Sequence, residues 1–487
     1  MGRLKQIQSR GNRAIRIRTI LFCLSALFLG GCTVGPKYVR PTTEVPSSYK
    51  EAGDWKPAEP SDAISKGKWW EVYQDPQLDA LEDQITVSNQ SLKVAQAQFQ
   101  EARAAVRISR SALFPSVTGG VSVTQFHQSS NRPLFTSSSS VDYADYQIPF
   151  DASYEADVWG RVRRTVEASR SEAQASAADL ANVELSLRAE LALDYFQLRG
   201  VDAQKRLLDS TVVSFEKALE LTKNRFSGGL ASAVDVAQAQ TILETTRAQD
   251  VDLGVQRAAF EHAIAVLVGK PASEFSLLPM PLTAPAPLLP EGLPSQLLER
   301  RPDISAAERR VQEANAQIGV ARAAYFPLIT LSGSGGFESA VISTLIQGPS
   351  GFWSLGGAAV QTIFDAGRRR GVTEQALAAY DQNVANYRQT VLTAFQDVED
   401  NLAALRILQD EALTENAAVA SAEHSVALSL NRYRGGIANY LEVTTAQSAA
   451  LADERTAVDI LTRRMTASVL LIKAIGGGWN VSQIPRV

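Results

Sequence analysis

Residue types that commonly perform enzymatic chemistry are few in this sequence. The three histidines, His127, His262 and His424, fall in a predicted loop and two predicted helices, without the spacing of metal ligands. The chain contains neither a phosphate-binding Walker loop nor a G-x-S-x-G nucleophile motif. We therefore expect a protein that is not an enzyme and that has no catalytic residue, no metal site and no bound cofactor.

Cys32 is the residue at which a covalent modification is expected. Six basic residues, the apolar run ILFCLSALFL and the motif LGGC lead up to it. The run is too short to span a bilayer, so residues 1–31 are predicted to be a secretory signal. LGGC resembles a bacterial lipobox, which predicts a covalent lipid on Cys32 at the start of the mature chain. A plain signal anchor is the alternative, but it would need a longer apolar run. Thr33 follows where an aspartate would favour the inner membrane, so we expect sorting to the outer membrane.

The charge balance limits the possible partners. Without the signal, 42 of the 48 basic residues remain against 52 acidic ones, so the mature chain is acidic. This composition argues against a nucleic-acid partner. Cys23 leaves with the signal and Cys32 carries the lipid, so no disulfide is expected.

One motif occurs twice. NRFSGGLASAVDVAQAQ begins at Asn224, and NRYRGGIANYLEVTTAQ begins at Asn431. A glycine can adopt the positive φ that ends a helix and reverses the chain. In each copy a capping residue with an acid three positions later follows the glycines, which is typical of a helix start. These pairs are Ser232 with Asp235 and Asn439 with Glu442. The repeat therefore predicts two helical hairpins.

The helices on either side of these turns are predicted to be long. No proline occurs between Pro149 and Pro271, or between Pro349 and Pro485, and both stretches are rich in good helix formers. We predict helices over 160–226 and 368–433, each roughly 100 Å long at 1.5 Å per residue. Shorter helices are predicted over 232–268 and 439–475 after the turns, and over about 77–111 and 295–324 earlier in each half.

Each half also contains a pair of predicted strands. In FPSVTGGVSVTQ and YQIPFDASYEA, apolar and polar residues alternate, and FPLITLSGSGG and FWSLGGAAVQTIF repeat the pattern less regularly. This alternation is typical of a strand with one apolar and one polar face. The predicted β-hairpins span 112–157 and 326–364.

The predicted organisation is a duplicated unit. A signal (1–31) and an anchored extended segment (32–75) precede a first repeat (76–270) with its turn at 227–231. A proline-rich linker (271–294) leads to a second repeat (295–476) with its turn at 434–438, and residues 477–487 form a tail.

Four strands cannot close a membrane barrel, since the smallest single-chain barrels have about eight. If these strands cross a membrane, several chains must contribute to one barrel. A dimer would supply eight strands and a trimer twelve. Two hairpins of a soluble β-subdomain are the alternative, which alternation alone does not exclude.

The order of motifs resembles the TolC/OprM outer-membrane factor family, and more closely its NodT-like efflux lipoprotein branch. The segments that carry the resemblance are LGGC, VGPKYVRP, KWWEVYQDPQLDALEDQ, the two FP strands, the two double-glycine motifs, LERRPDI and IGGGW. They extend over essentially the whole mature chain.

The resemblance implies a mainly α-helical homotrimer with a twelve-stranded outer-membrane β-barrel that continues into a long helical periplasmic barrel. It implies a passive exit duct that works with a periplasmic adaptor protein and an inner-membrane pump, usually of the RND class. A non-conducting, lipid-anchored coiled-coil scaffold in the cell envelope is the alternative.

The resemblance also places the double-glycine turns at the periplasmic mouth. The residues implied to dock the adaptor are Gly228, Gly229, Leu230, Gly435, Gly436 and Ile437. The residues implied to line the aperture are Asp235, Tyr433, Leu441, Glu442 and Thr445. Two positions depart from some members of the family: Thr445 stands where several relatives carry an aspartate in the pore ring, and Ala438 stands where one carries a gate arginine. The gate is therefore expected to depend less on charge than in some relatives.

Overall fold

The computed structural model of the chain is described over residues 33–52, 68–131, 141–287 and 299–485. The predicted signal peptide and Cys32, the predicted lipidation site, lie outside these ranges. So do residues 53–67 of the predicted N-terminal segment, residues 288–294 of the linker and the predicted helix start at 295–298. No helix in the described ranges is both long and apolar enough to cross a membrane.

Each half contains helices, antiparallel strands and a long helical hairpin. The first half contains α1 (Pro76–Ser88), α2 (Gln90–Ser111), β1 (Ser116–Gly119), β2 (Ser122–His127), β3 (Asp142–Glu155), α3 (Arg161–Ser227) and α4 (Ala233–Leu267). The second half contains α5 (Pro302–Ala323), β4 (Leu328–Ser339), β5 (Gly351–Val360), α6 (Arg368–Arg434) and α7 (Tyr440–Ala474).

The two longest helices start in the same way. Gly160 and Gly367, with φ of 82° and 89°, precede α3 and α6. The Asp157 carboxylate accepts hydrogen bonds from two amides in the first turn of α3, and Asp365 accepts one from Arg369 N in α6. A carboxylate at a helix N-terminus also interacts favourably with the positive end of the helix dipole. Each helix therefore begins at a capped start shortly after a strand, and 67 residues extend it to roughly 100 Å.

The helix predicted from Gln77 to Ser111 is wrong as a single element, because Asn89 divides it. Asn89 has extended backbone angles and caps α2 by accepting a hydrogen bond from Leu92 N at 2.9 Å. Its side-chain amide donates to the Leu267 carbonyl at 2.8 Å, at the end of α4. The break therefore attaches α1 and α2 to the end of the first hairpin. In the second half, α5 begins at Pro302, a residue suited to the first helical position.

All strands belong to one antiparallel sheet in the order β1–β3–β4–β5, and β2 also pairs with β3. β1 and β2 lie on the same edge of β3, so they form one strand interrupted at Gly120. Pro149 of β3 lies opposite this interruption and has no N–H to donate. The sheet therefore has the width of four strands, as predicted, with outer edges that have no partner in the described chain.

The two faces of the sheet differ in polarity. Directly paired residues share a face, and neighbouring rows point in opposite directions. One row across the sheet consists of Val117, Ala152, Gly333 and Leu355. The adjacent row consists of Thr118, Asp151, Ser334 and Ser354. The predicted apolar and polar faces are thus present.

The largest apolar core lies near the middle of α3, where the turn Trp69–Tyr73 and α1 pack on α3 and α7. Trp69, Trp70 and Tyr195 are its largest members. Beside it, buried charges hold the linker. Asp202 accepts a hydrogen bond from Met280 N at 2.9 Å, and Arg257 donates to the Leu277 carbonyl at 2.6 Å. Residues 277–280 are therefore fixed against both helices of the first hairpin.

Gly200 provides a test of the packing between α3 and α7. A Cβ at this position would lie 2.3 Å from Oγ1 of Thr462, a β-branched residue with little rotamer freedom. We expect Gly200→Ala to destabilise the fold by about 1–3 kcal/mol through overpacking. Thermal unfolding followed by circular dichroism measures the effect.

Gly254→Ala is the matched control, because no atom lies within 4 Å of the added Cβ in α4. This change should leave the melting temperature unchanged or raise it, since alanine favours a helix by roughly 0.5–1 kcal/mol over glycine. Equal melting temperatures for the Gly200→Ala variant and the unmodified protein would contradict a tight α3–α7 contact.

Candidate functional site: the two hairpin tips

The first tip (227–231) joins α3 to α4 through a Schellman motif. Leu230 N donates to the Arg225 carbonyl at 2.8 Å, and Gly229 N donates to the Phe226 carbonyl at 2.9 Å. Gly229 has a φ of 72°, whereas Gly228 has a φ of −83°. Only the second glycine therefore needs the left-handed conformation that glycine adopts without steric cost.

The second tip (434–438) has the same geometry. Ile437 N donates to the Arg432 carbonyl and Gly436 N donates to the Tyr433 carbonyl, both at 3.0 Å. Gly436 has a φ of 74° and Gly435 a φ of −72°. The repeated sequence thus gives a repeated backbone turn.

The acids after the two turns behave differently. Ser232 and Asp235 form a reciprocal capping box, with Asp235 accepting from Ser232 N at 3.0 Å. In the second copy Asn439 accepts from Glu442 N, but the Glu442 carboxylate binds Arg432 Nε at 3.0 Å. The first acid therefore stabilises its own helix start, and the second joins α6 to α7.

Arg225 connects the two tips. Its Nη1 donates to the Arg434 carbonyl at 2.8 Å, at the end of α6. Its guanidinium lies over the Tyr433 ring, 4.8 Å from the ring centre. A cation near a helix C-terminus and over an aromatic face is favoured on both counts. Arg432, the equivalent residue of the second repeat, instead binds Glu442 within its own hairpin.

An aromatic pair fills the space behind this contact. The rings of Tyr433 and Tyr440 are 5.2 Å apart at 69°, and both residues are buried. They pack with Phe215 and Leu219 of α3 and with Leu243 of α4. Burial raises the pKa of Tyr440 to about 12, with a smaller contribution from Tyr433. The cluster therefore belongs to both hairpins, and Tyr440 stays uncharged at neutral pH.

The structure places the predicted site residues in two environments. Tyr433 is buried in the aromatic cluster, Asp235 and Glu442 are half-buried, and Thr445 is exposed with its hydroxyl bonded to the Leu441 carbonyl. The glycines form the turns. Three apolar tip residues are largely exposed: Leu230, Ile437 and Leu441.

Sequence analysis missed Arg225, Arg432 and Tyr440. The repeated Asn-Arg pair at Asn224 and Asn431 was the available signal for the arginines, whose partners differ between the copies. No group of three or more His, Cys, Asp or Glu within the described ranges has the arrangement of a metal site.

Comparisons with known proteins match nearly the whole chain. The outer membrane efflux protein family model matches residues 81–270 and 293–477. The chain belongs to the outer membrane efflux protein family. The toluene efflux pump outer membrane protein TtgF of Pseudomonas putida is 34% identical over 466 residues, covering 94% of this chain and 96% of TtgF. Outer membrane protein OprJ of Pseudomonas aeruginosa is 34% identical over 461 residues, covering 94% of this chain and 95% of OprJ.

The chain is also similar to solved structures of outer-membrane channels. The outer-membrane channel OprN is 31% identical and has a TM-score of 0.86, covering 92% of this chain and 100% of that chain. The predicted family resemblance and TolC-like fold are therefore confirmed. The predicted function as an outer-membrane efflux channel and the predicted outer-membrane location are also confirmed.

The two glycines of the second tip allow a direct test of the turn. We expect Gly436→Ala to destabilise the turn by about 1–2 kcal/mol, because an L-residue there is forced into the left-handed region. Amide exchange at Ile437, whose N–H closes the turn, should become several-fold faster.

Gly435→Ala is the control for this change. Its added Cβ would meet other atoms only at 3.5 Å or more, and its φ is negative. Similar exchange rates in the two variants would refute a specific need for glycine at Gly436.

Proposed function

We propose that the protein is a homotrimeric exit duct that completes a tripartite efflux system with a periplasmic adaptor and an inner-membrane pump. An RND-class pump is the proposed energy source, and the duct itself conducts passively. TtgF and several other relatives are named as outer membrane proteins of efflux pumps, which supports a pump partner. The sheet carries the proposal that several chains share one barrel.

The sheet is incomplete in one chain. Its two outer edges, β1 with β2 on one side and β5 on the other, have no partner among the described residues. An open edge of unpaired backbone groups is not tolerated in lipid. Two copies placed edge to edge would give eight strands and three would give twelve, and either ring would leave no open edge, whereas one copy has fewer than the eight strands of the smallest barrels. The trimer is proposed because the family resemblance implies it.

The apolar face of the sheet suits an outward position in this barrel. Leu355 and Trp353 of β5 are 80% and 78% exposed in the single chain, although both are large and apolar. The polar row with Thr118 and Asp151 would then face a water-filled lumen. Exposure of one face to lipid and the other to water explains why neither face is covered by a helix within the described ranges.

Adjacent residues of β5 can test this orientation. We expect Leu355→Arg to reduce assembly of heat-resistant trimers in the outer membrane, since an arginine facing lipid costs about 2–4 kcal/mol near the bilayer midplane. Trimer yield on unheated denaturing gels is the measurement. Ser354→Arg, on the opposite face, should assemble normally and change the ion selectivity of the pore. If both variants assembled equally well, this orientation of the sheet would be wrong.

The hairpin tips are proposed to form the aperture and the adaptor-docking surface. The proposed aperture residues are Asp235, Tyr433, Leu441, Glu442 and Thr445. The proposed docking residues are Gly228, Gly229, Leu230, Gly435, Gly436 and Ile437. The exposed apolar side chains of Leu230 and Ile437 support a docking role, since both project from turns with no cover in the single chain.

Leu441 and Glu442 are proposed to narrow the aperture together. Leu441 is 53% exposed, and Glu442 is held to Arg432 by the 3.0 Å ion pair. This ion pair joins the start of α7 to the end of α6 and therefore limits their separation. The contribution of such an exposed pair to stability is small, roughly 0.2–1 kcal/mol, so a low barrier to movement is expected.

Replacing Leu441 with Ala and Glu442 with Gln should raise single-channel conductance in planar bilayers, because both an apolar constriction and a tie are removed. The control carries Leu413→Ala and Glu415→Gln, about twenty residues before the end of α6, and should conduct like the unmodified protein. Unchanged conductance in correctly assembled trimers of the first variant would exclude these two residues from the aperture. Trimers that never conduct would instead support the envelope scaffold.

A lipid on Cys32 is proposed as the membrane anchor. Val34 N donates to the Trp159 carbonyl at 3.0 Å, so the described chain just after Cys32 lies at the junction of β3 and α3. This position is next to the sheet that is proposed to cross the membrane. Mass spectrometry of the mature N-terminus tests the modification directly.

A further inference from the structure

A cavity lies in the wall of the helical region and reaches the second tip at Arg434. It has a volume of about 590 Å³, within the usual range for small-molecule sites. Helix α3 contributes one side, and α6 and α7 contribute the other. We call this cavity the wall groove and define it by Phe215, Glu423, Leu430, Gln447, Leu451 and Glu454.

The middle of the wall groove is apolar. Phe215 of α3, Leu430 of α6 and Leu451 of α7 line it from three different helices. An organic molecule with an apolar body could therefore remove apolar surface from water on several sides at once.

Gln447 supplies an unused acceptor in this groove. The residue is only 6% exposed, and its Oε1 has no hydrogen-bond partner among the described residues. A buried carbonyl without a donor costs about 1–3 kcal/mol, so an N–H from a ligand would be favourable here. A packed, purely structural glutamine would be expected to have this partner within the protein.

Two carboxylates give the groove its charge preference. Glu423 and Glu454 line the groove, and neither forms an ion pair within the described ranges. Burial raises the pKa of Glu454, and the neighbouring charges of Glu423 and Asp453 raise it further. Lys217 and Arg434 also line the groove, but neither pairs with these carboxylates. A cation placed beside Glu423 and Glu454 would therefore relieve a repulsion that the protein leaves in place.

We propose that the wall groove binds an amphipathic organic amine. Its ammonium group would lie beside Glu423 and Glu454, its apolar body against Phe215, Leu430 and Leu451, and a further N–H against Gln447 Oε1. This ligand would contact both helical hairpins of one chain. Binding would stabilise the folded arrangement of those hairpins, since a ligand favours the state that binds it.

The test uses the full trimer in lipid nanodiscs, without adaptor or pump, and a fluorescent amine, dansylcadaverine. We expect saturable binding in the micromolar range with one probe per chain. The N-acetylated probe, which lacks the charge, should bind the unmodified protein at least about tenfold more weakly. Dansylcadaverine itself should bind the Glu454→Gln variant more weakly by a similar factor. Empty nanodiscs measure partition of both probes into lipid.

Two further variants complete the test. Glu415→Gln changes a carboxylate on the same helix as Glu423 but outside the groove, and should bind the probe normally. Leu451→Trp should fill the groove and abolish binding. Gln447→Leu, which removes only the acceptor, should weaken binding several-fold, and it replaces the tryptophan variant as the test if that variant does not assemble. Equal affinity of the amine and its acetylated form, or unchanged affinity in Glu454→Gln, would overturn the proposal. Neither result depends on conductance, so the proposed duct is tested separately.

Discussion

The long hairpins exist because one residue at each turn adopts a left-handed backbone conformation. Gly229 and Gly436 close Schellman motifs that bond the last carbonyl groups of α3 and α6. An ordinary residue at these positions would put its Cβ against the neighbouring carbonyl. With the reversal fixed, α4 returns along α3 and α7 returns along α6. The tip, the aromatic cluster and the wall groove all lie between the helices that these two reversals bring together.

The two copies share their backbone and differ in their side-chain contacts. Asp235 caps its own helix, whereas Glu442 pairs with Arg432 across the second turn. Arg225 crosses to the Arg434 carbonyl of the other hairpin, so its link lies within one chain. In the proposed trimer, the hairpins would need two kinds of contact, one within a chain and one between chains. Arg225 serves the first, and the outward surfaces of the hairpins would be left for the second.

Local patterns allowed much of the fold to be predicted from the sequence. Proline-free stretches predicted the long helices, the double glycines predicted the reversals, and alternation predicted the two faces of the sheet. The break at Asn89 was missed although asparagine is a preferred helix cap, because the hydrogen bond to the Leu267 carbonyl that also holds it is distant in sequence. Arg225 was missed for the same reason. A long arginine on a helix has many possible partners, and only the packed hairpins bring the Arg434 carbonyl within reach.

The wall groove and the second tip share residues and contacts. Phe215 lines the groove and also packs in the aromatic cluster with Tyr433 and Tyr440. Arg434 also lines the groove, and its carbonyl accepts the hydrogen bond from Arg225. Separation of the two hairpins at the tip would therefore change the groove, and occupation of the groove would oppose that separation. Coupling between two sites is reciprocal. An adaptor that holds the tips apart would therefore lower the affinity of the groove for the amine by the same factor by which the amine lowers the affinity for the adaptor.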